Sequence, residues 1–355
     1  MTDLELFGKA MAHEHTGRFL FGCSFIPETF RRFRERYGLG EGLSMRDAFG
    51  TFEPHSVDLR KPGHELPRKD FSRYFKGVEI PEGAWIGQNG VLNVRGSAHH
   101  FTRYVSPLRD VTGVEGCYGF PFADNYGWTD DGMAEEVRRA RGEGKVTLTW
   151  VGHQYEEAWQ IRGYEEFLMD MACDPAIPFY ILGRVHEYAL HRVIAAARAG
   201  VDIIKTGDDV ATQRALIMSP DMWRRFIKPL QRDLIETAHA INPDAKVWYH
   251  SDGDISAILP ELVEMGVDIL NPLQPECMDL DWVKREYGRR LVIDGTIGTQ
   301  STMPFGTPGD VRRAVAESKE RYGYDGALII SPTHVLEPEV PPENVMAFLE
   351  ECAKV

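Results

Sequence analysis

The stretch that decides the fold is residues 246–275, which read KVWYHSDGDISAILPELVEMGVDILNPLQP. A short apolar run (KVWYHSDG) is followed by an amphipathic segment that ends at Gly266, and a second apolar run (VDILNPLQP) comes directly after it. Parallel strands need a long crossover connection, usually a helix, so this order is typical of a strand–helix–strand unit. The glycine suits the left-handed residue that commonly ends a helix.

The same alternation continues on both sides of this unit. The further apolar runs are KVTLTW (145–150), VDIIKTG (201–207), RLVIDGTIG (290–298) and ALIISPTH (327–334). Residues 221–241 carry apolar side chains near a helical period, with Ser219 as the expected cap and Pro220 in the first turn. Short strands that alternate with helices indicate an α/β fold with a parallel sheet.

Two runs in the first part of the chain, FLFGCSF (19–25) and AWIGQNGVLNV (84–94), bring the strand count to eight. Eight strands predict a (β/α)8 TIM barrel with an elaborated N-terminal half. The alternative is an open doubly wound sheet, which is disfavoured because no GxGxxG motif follows a strand. We expect one barrel domain over residues 1–355, irregular over 1–140 and built of regular β/α units over 141–355.

Composition and charge narrow the classes of function. The chain has 355 residues, with 40 Lys and Arg against 54 Asp and Glu, and a formal charge of −14. This charge disfavours nucleic acid and anionic membrane surfaces as partners. No apolar run approaches the roughly 20 residues needed to cross a bilayer. The five cysteines are scattered without a CxxC spacing, so we expect a cytoplasmic protein without a disulfide framework.

Candidate site residues follow the strands, because reactive groups of parallel α/β folds collect at the carboxyl ends of strands. His250 and Asp252 are two residues apart and share a strand face with Trp248, as a divalent metal or an acid/base pair would require. The alternative is a polar turn in which Asp252 or Asp254 caps a helix. His334 follows the last run and is expected at the same mouth.

Other polar and aromatic groups occupy equivalent positions. Asp208 and Asp209 are adjacent, so at most one of them points inward and the other is expected to be a cap. Cys277 is either a thiolate ligand or a buried spectator. The remaining candidates are Asp208 and Glu156 as catalytic residues and Tyr126, Tyr155, Asn271 and Gln274 as substrate-binding residues.

Four segments together resemble the uroporphyrinogen decarboxylase superfamily. They are GDDVATQRALIMSPDMWRRFIKPLQRDLIETA (207–238), residues 246–275 as quoted above, GTIGTQSTMPFGTP (295–308) and ALIISPTHVLEPEVPPENVMAF (327–348). The resemblance extends over residues 145–350, and GSAHHFTRYVSPLRD (96–110) is similar to the family's less regular first half. It implies the barrel fold.

The superfamily has two branches, and the resemblance implies the second. True decarboxylases use no metal and hold a tetrapyrrole with an N-terminal arginine pattern, which residues 21–32 lack. Corrinoid-dependent methyltransferases carry zinc on a His-x-Cys pair and a later ligand. His250 matches the first position, Asp252 stands where the cysteine would be, and His334 falls where the later ligand is expected. An aspartate makes the site harder, which suits zinc acting on oxygen.

The resemblance thus implies a zinc-dependent methyltransferase with Zn²⁺ on His250, Asp252 and His334. It would move a methyl group from a small methylated donor, such as a methoxylated aromatic, to the cobalt of cobalamin on a separate corrinoid protein. Asp208 or Glu156 would orient the substrate or the ligands. Two alternatives stay open: a metal-free decarboxylase or lyase of a small carboxylate in which Asp208 and His250 handle protons, and a binding protein that has lost the chemistry.

Overall fold

The computed structural model describes residues 1–40, 42–61, 69–96 and 102–355. Within them the chain forms eleven strands: β1 (Leu20–Phe21), β2 (His55–Ser56), β3 (Trp85–Ile86), β4 (Leu92–Arg95), β5 (Thr102–Val105), β6 (Thr147–His153), β7 (Ile203–Gly207), β8 (Lys246–His250), β9 (Ile269–Asn271), β10 (Val292–Asp294) and β11 (Leu328–Ile330). Residues 97–101 of the family-like segment 96–110 lie outside the described part.

Eight of these strands form one curled parallel sheet, in the order β1-β11-β10-β9-β8-β7-β6-β2. The amide of Phe52, just before β2, donates a hydrogen bond of 2.7 Å to the carbonyl oxygen of Phe21 in β1. This bond joins the two ends of the sheet. The eight parallel strands, surrounded by helices, confirm the predicted TIM barrel.

The helices in the described residues are α1 (Asp3–Met11), α2 (Pro27–Tyr37), α3 (Met45–Phe49), α4 (Met133–Gly142), α5 (Gln154–Arg162), α6 (Tyr164–Cys173), α7 (Ala176–Ala199), α8 (Pro220–Phe226), α9 (Lys228–Ile241), α10 (Leu259–Met265), α11 (Leu280–Tyr287), α12 (Thr302–Phe305), α13 (Pro308–Tyr322) and α14 (Pro342–Ala353). None of them is both long and apolar enough to cross a bilayer.

Side chains of β8 alternate between two apolar clusters, as predicted. Val247 and Tyr249 belong to the large cluster that contains helix residues such as Leu262. Trp248 belongs to a smaller cluster that contains strand residues such as Ile203 and Ile269 together with residues of α1. This alternation also sends His250, two residues beyond Trp248, to the inner side of the barrel.

The predicted strand at residues 84–94 does not belong to the barrel. It forms β3 and β4, which pair antiparallel with each other and, through β4, with β5 in a separate three-stranded sheet. Gly90 adopts a φ of 81° in the turn between β3 and β4, which allows the chain to reverse. The eighth barrel strand is β2 instead, from a proline- and charge-rich stretch, and it pairs with β6.

The predicted helix at 221–241 is interrupted. α8 ends at Phe226 and α9 begins at Lys228, because Pro229 has no backbone N–H to continue the preceding helix. Two local predictions are confirmed: the Ser219 hydroxyl accepts a hydrogen bond from the amide of Met222, and Gly266 ends α10 with a left-handed φ of 102°.

Candidate metal centre and active site

Three side chains converge where β7 and β8 end. Asp209 follows β7, His250 closes β8, and Asp252 follows β8. The Nε2 atom of His250 lies 3.8 Å from Oδ1 of Asp209, which accepts a 2.9 Å hydrogen bond from the amide of Asp252. One ligand atom from each of the three residues can be chosen so that all lie within 4.8 Å of one another.

Close approach of the two strand ends depends on Gly207. It pairs with His250 in the register of β7 and β8. A Cβ atom at this position would lie 1.9 Å from the carbonyl oxygen of His250, which no side chain permits. The glycine in the sequence VDIIKTGDD therefore lets Asp209 reach the end of β8.

The imidazole of His250 is held by a chain of hydrogen bonds that crosses β9 and β10 and ends just beyond β11. Its Nδ1 lies 2.6 Å from Oδ1 of Asn271, the Nδ2 of Asn271 donates to Asp294 at 2.6 Å, and the hydroxyl of Ser331 donates to Asp294 at 2.7 Å. An amide oxygen can only accept, so Nδ1 of His250 carries the proton. Nε2 is then left with its lone pair, as a metal ligand requires.

Burial and charge set the protonation of these groups. Burial lowers the pKa of His250, while the Asp209 carboxylate opposes the shift, so the neutral imidazole is favoured. Burial also raises the pKa of Asp252 to about 6, and the charge of Asp209 adds to this rise. The site therefore combines a neutral imidazole with two crowded carboxyl groups.

A second group shares Asp209 with the first. His153, Glu156 and Asp209 also place ligand atoms within 4.8 Å of one another. Nδ1 of His153 lies 2.7 Å from Oε2 of Glu156, and its Nε2 is buried without a hydrogen-bond partner among the described residues. The ring stacks on that of His250, with 5.5 Å between centroids.

Protonation distinguishes the two stacked imidazoles. Burial alone would lower the pKa of His153, but the hydrogen bond that its ring donates to Glu156 and the charges of Asp208 and Asp209 outweigh it and raise the pKa. His153 therefore favours the charged form that His250 avoids. Glu156, predicted as catalytic, stands at this second group and also accepts a hydrogen bond from Gln160.

His334 reaches Asp252 from the other side of the mouth. Its Nε2 lies 3.9 Å from Oδ2 of Asp252, and its side chain is half exposed. The Nε2 of Gln274 donates to Oδ1 of Asp252 at 3.3 Å, while Oε1 of Gln274 accepts from the amide of Gly253 and from the thiol of Cys277. Gln274 thus orients Asp252, and Cys277 is turned toward Gln274.

The structure gives Asp208 a different place from Asp209. Asp208 is fully buried, and its carboxylate accepts hydrogen bonds from the amides of Tyr155 and Glu156 and from the side chain of Gln231. Burial raises its pKa to about 7. Asp208 therefore caps α5, and Asp209 is the one of the two that faces the mouth, although the catalytic role was predicted for Asp208. The rule that adjacent strand residues face opposite sides was the available signal.

Three predicted substrate-binding residues are also placed differently. The ring of Tyr155 is fully buried and packs against Phe167 among the helices, away from the mouth. Asn271 uses its amide to hold His250 and Asp294. Tyr126 is 79% exposed on a loop before α4. The burial of Tyr155 follows from its place in α5, which begins directly after β6. The helix directs this side chain away from the barrel mouth and toward the neighbouring helices.

Cavities lie on several sides of the cluster. One of about 480 Å³ is formed by the inner face of the barrel strands and is open to solvent; its lining residues are Pro54, Leu148, Trp150, His153, Lys205, Trp248 and His250. A second of about 450 Å³ shares Trp150 and His153 with the first and reaches Glu156 and the β3–β4 turn. A third of about 420 Å³ adjoins Asp252 and His334. These volumes suit small ligands.

The donor set fits a divalent metal ion. Imidazole nitrogen and carboxylate oxygen are ordinary ligands of zinc, and the fixed Nδ1 of His250 is the arrangement that metal-ligating histidines show. The unpartnered Nε2 of His153 would be a further donor only in the neutral form of that ring, which its raised pKa disfavours. The same atoms would also serve as an acid/base cluster.

Comparison with known proteins gives matches to family models and to solved structures. No curated protein matches the chain. A methyltransferase from Methanosarcina mazei has a TM-score of 0.66 at 15% sequence identity, covering 99% of this chain and 98% of that one. A B12-independent methionine synthase from Shewanella has a TM-score of 0.42 at 12% identity, covering 62% of this chain and 65% of that one.

The first of these likenesses extends the barrel assignment over nearly the whole chain. A family model described as uroporphyrinogen decarboxylase (URO-D) matches residues 157–355, which is more than half of the sequence. The matched part contains Asp209, His250, Asp252 and His334. The chain belongs to the uroporphyrinogen decarboxylase family.

Proposed function

We propose that this protein is a zinc-dependent methyltransferase that moves a methyl group from a small methoxylated aromatic donor to the cobalt of a separate corrinoid protein. The observation that carries the proposal is the cluster of Asp209, His250 and Asp252 at the barrel mouth, within 4.8 Å of one another. The fold shared with a methyltransferase from Methanosarcina mazei supports the class of reaction.

In this proposal Nε2 of His250 and the carboxylate of Asp252 hold the zinc. His334, beside Asp252, supplies the third ligand, and Asp209 is the neighbouring carboxylate that can complete the set. When bound there, zinc supplies Lewis acidity to the ether oxygen, which is a poor leaving group by itself. The donor oxygen needs access to the cluster, and the cavities beside it provide that access.

The other residues of the site position the ligands. Asn271 fixes the ring of His250, and Gln274 orients the carboxylate of Asp252. Glu156 holds the Nδ1 side of His153, so that a protonated imidazole stands beside Asp209. The corrinoid partner would dock over the mouth and receive the methyl group there.

Metal analysis of three proteins tests the proposal. The wild type and His239→Ala should each carry about one zinc per chain, while His250→Ala should lose it. His239 is the matched control because it also faces an aspartate, Asp268, but lies on α9 away from the mouth. Methyl transfer is then followed by the spectral change of cob(I)alamin to methylcobalamin with a panel of methoxylated aromatics.

Zinc and activity should be lost together in His250→Ala. Full zinc occupancy in that variant would contradict the assigned ligand. A zinc-loaded wild type that methylates cob(I)alamin from no donor in the panel would contradict the reaction.

A further inference from the structure

Lys205 places a cationic group inside the barrel. It lies on β7 and pairs in register with Trp248 on β8. Its Nζ lies 4.7 Å from the ring centroid of Trp248 and 5.6 Å from that of Trp150, so two indoles flank the ammonium group. The charge is thereby held over aromatic faces, which attract cations.

No residue in the described part of the chain forms a hydrogen bond or an ion pair with Lys205. The nearby carboxylate of Asp294 instead accepts from Asn271 and Ser331. Burial lowers the pKa of Lys205, and the charge of Asp294 partly opposes this. Lys205 is half-buried, and its ammonium group has no directly bonded carboxylate among the described residues; partial removal of this charge from water is costly, and cation–π contacts offset only part of that cost. An anionic ligand group at Lys205 would therefore make a contact that the described residues do not supply.

The cavity beside Lys205 leads to the candidate metal centre. Lys205 lines the interior cavity of about 480 Å³ together with His153 and His250. Gly207, two residues further along β7, pairs with His250. Two residues of strand span about 7 Å, which sets the height of His250 above Lys205. A benzene ring with substituents at opposite ends covers such a span.

We propose that the interior cavity binds a flat aromatic carboxylate, with Lys205 as the counter-ion of the carboxylate and the indoles of Trp150 and Trp248 against the ring. The methoxy group at the opposite end of the ring then lies at His250 and Asp252. This inference rests on the proposed function for the identity of the donor as an aryl methyl ether, and it names Lys205 as the residue that selects its anionic class.

The distribution of charge limits the ligand to one anionic group. Lys205 is the one lysine or arginine among the residues that line this cavity in the described part of the chain, and the other group that favours a charged form, His153, is already paired with Glu156. The mouth above it carries Asp209 and Asp252, which repel further negative charge. A monocarboxylate pointing its charged end inward satisfies both regions.

Binding of two matched ligands tests this inference. Isothermal titration calorimetry with 4-methoxybenzoate and its neutral analogue 4-methoxybenzamide would use wild type, Lys205→Met, Lys205→Arg and Lys246→Met. Lys205→Met keeps the length of the side chain and removes the charge. It should weaken binding of the benzoate by about tenfold or more, which corresponds to about 1.4 kcal/mol, and leave that of the amide nearly unchanged.

The other variants separate charge from packing. Lys205→Arg should retain preference for the benzoate. Lys246→Met is the control, because Lys246 begins β8 outside the cavity and faces Asp268. The inference is overturned if the wild type binds no benzoate, if it binds amide and benzoate equally, or if Lys205→Met leaves benzoate affinity intact. Lys205-dependent benzoate binding without methyl transfer to cob(I)alamin would support this inference and contradict the proposed function.

Discussion

At the scale of single residues, Asp252 sets the chemical character of the proposed zinc site. Its carboxylate is oriented by Gln274 and lies beside His334, and its own amide binds Asp209. A carboxylate is a harder ligand than the thiolate that the family resemblance places here. It leaves more positive charge on the metal, which favours polarisation of an ether oxygen.

Exchange of Asp252 should separate metal binding from methyl transfer. We expect Asp252→Cys to preserve or tighten zinc binding and to slow methyl transfer from an oxygen donor, because thiolate reduces the Lewis acidity of zinc. Asp252→Ala should lose both properties. Zinc affinity is measured by competition with a chelator, and transfer by formation of methylcobalamin.

Asp254 provides the control for this pair of variants. It lies two residues further along and accepts a hydrogen bond from the amide of Ser256, as a local cap does. Asp254→Ala should keep its zinc. If Asp252→Ala kept both its zinc affinity and its methyl-transfer activity, Asp252 would be only a local cap, as Asp254 is.

At the scale of elements, two adjacent carboxylates at the end of β7 serve different parts of the structure. Asp208 caps α5 from outside that helix, since His153 at the helix start forms no capping bond with its own side chain. Asp209 faces the mouth. Because α5 carries Glu156 and begins next to His153, the cap also fixes the position of the second imidazole group.

Removal of each carboxylate should therefore have a distinct effect. Asp208→Ala leaves two buried amides and the Gln231 side chain without their acceptor, which should lower the free energy of unfolding by about 3 kcal/mol. Asp209→Ala should lower zinc affinity and cost less stability than Asp208→Ala, because only the half-buried amide of Asp252 loses its acceptor. Thermal unfolding after chelation measures the first effect without a contribution from bound metal. Equal destabilisation by both variants would contradict this division.

The apolar runs of the sequence predict some strands of the barrel and miss others. The six runs after residue 145 all contain barrel strands, because each is an apolar run of the kind that parallel strands form. β2 is two residues long and shows no apolar run, so its place in the barrel depends on pairing with β6. The same limit applies to the site: His250 and Asp252 follow from one segment, whereas the approach of Asp209 depends on the register set by Gly207.

At the scale of the whole molecule, charge opposes a polyanionic substrate. The formal charge is −14, and Glu156, Asp209 and Asp252 stand together around the mouth. Such a field repels ligands with several carboxylates. Salt screens this repulsion at distances beyond the Debye length, which is about 8 Å at physiological ionic strength. Lys205 is placed to receive a single carboxylate.

A porphyrinogen should therefore be neither bound nor decarboxylated. Incubation of the purified protein with uroporphyrinogen should release no carbon dioxide above the level of a heat-denatured sample, in zinc-loaded and in chelated protein alike. Turnover in either sample would show that the acidic mouth accommodates a polyanion and would restore the decarboxylase alternative.

The hydrogen-bond chain from Ser331 through Asp294 and Asn271 to His250 lies on the side of the barrel formed by β8 to β11. Trp150 and Lys205 stand on the neighbouring strands β6 and β7. Selection for a new methyl donor can therefore act on residues of β6 and β7, while β8 to β11 keep the imidazole of His250 in place. The molecule is in this sense evolvable: ligand preference can drift by substitutions at Trp150 and Lys205 while the hydrogen bonds that hold the ring of His250 stay in place.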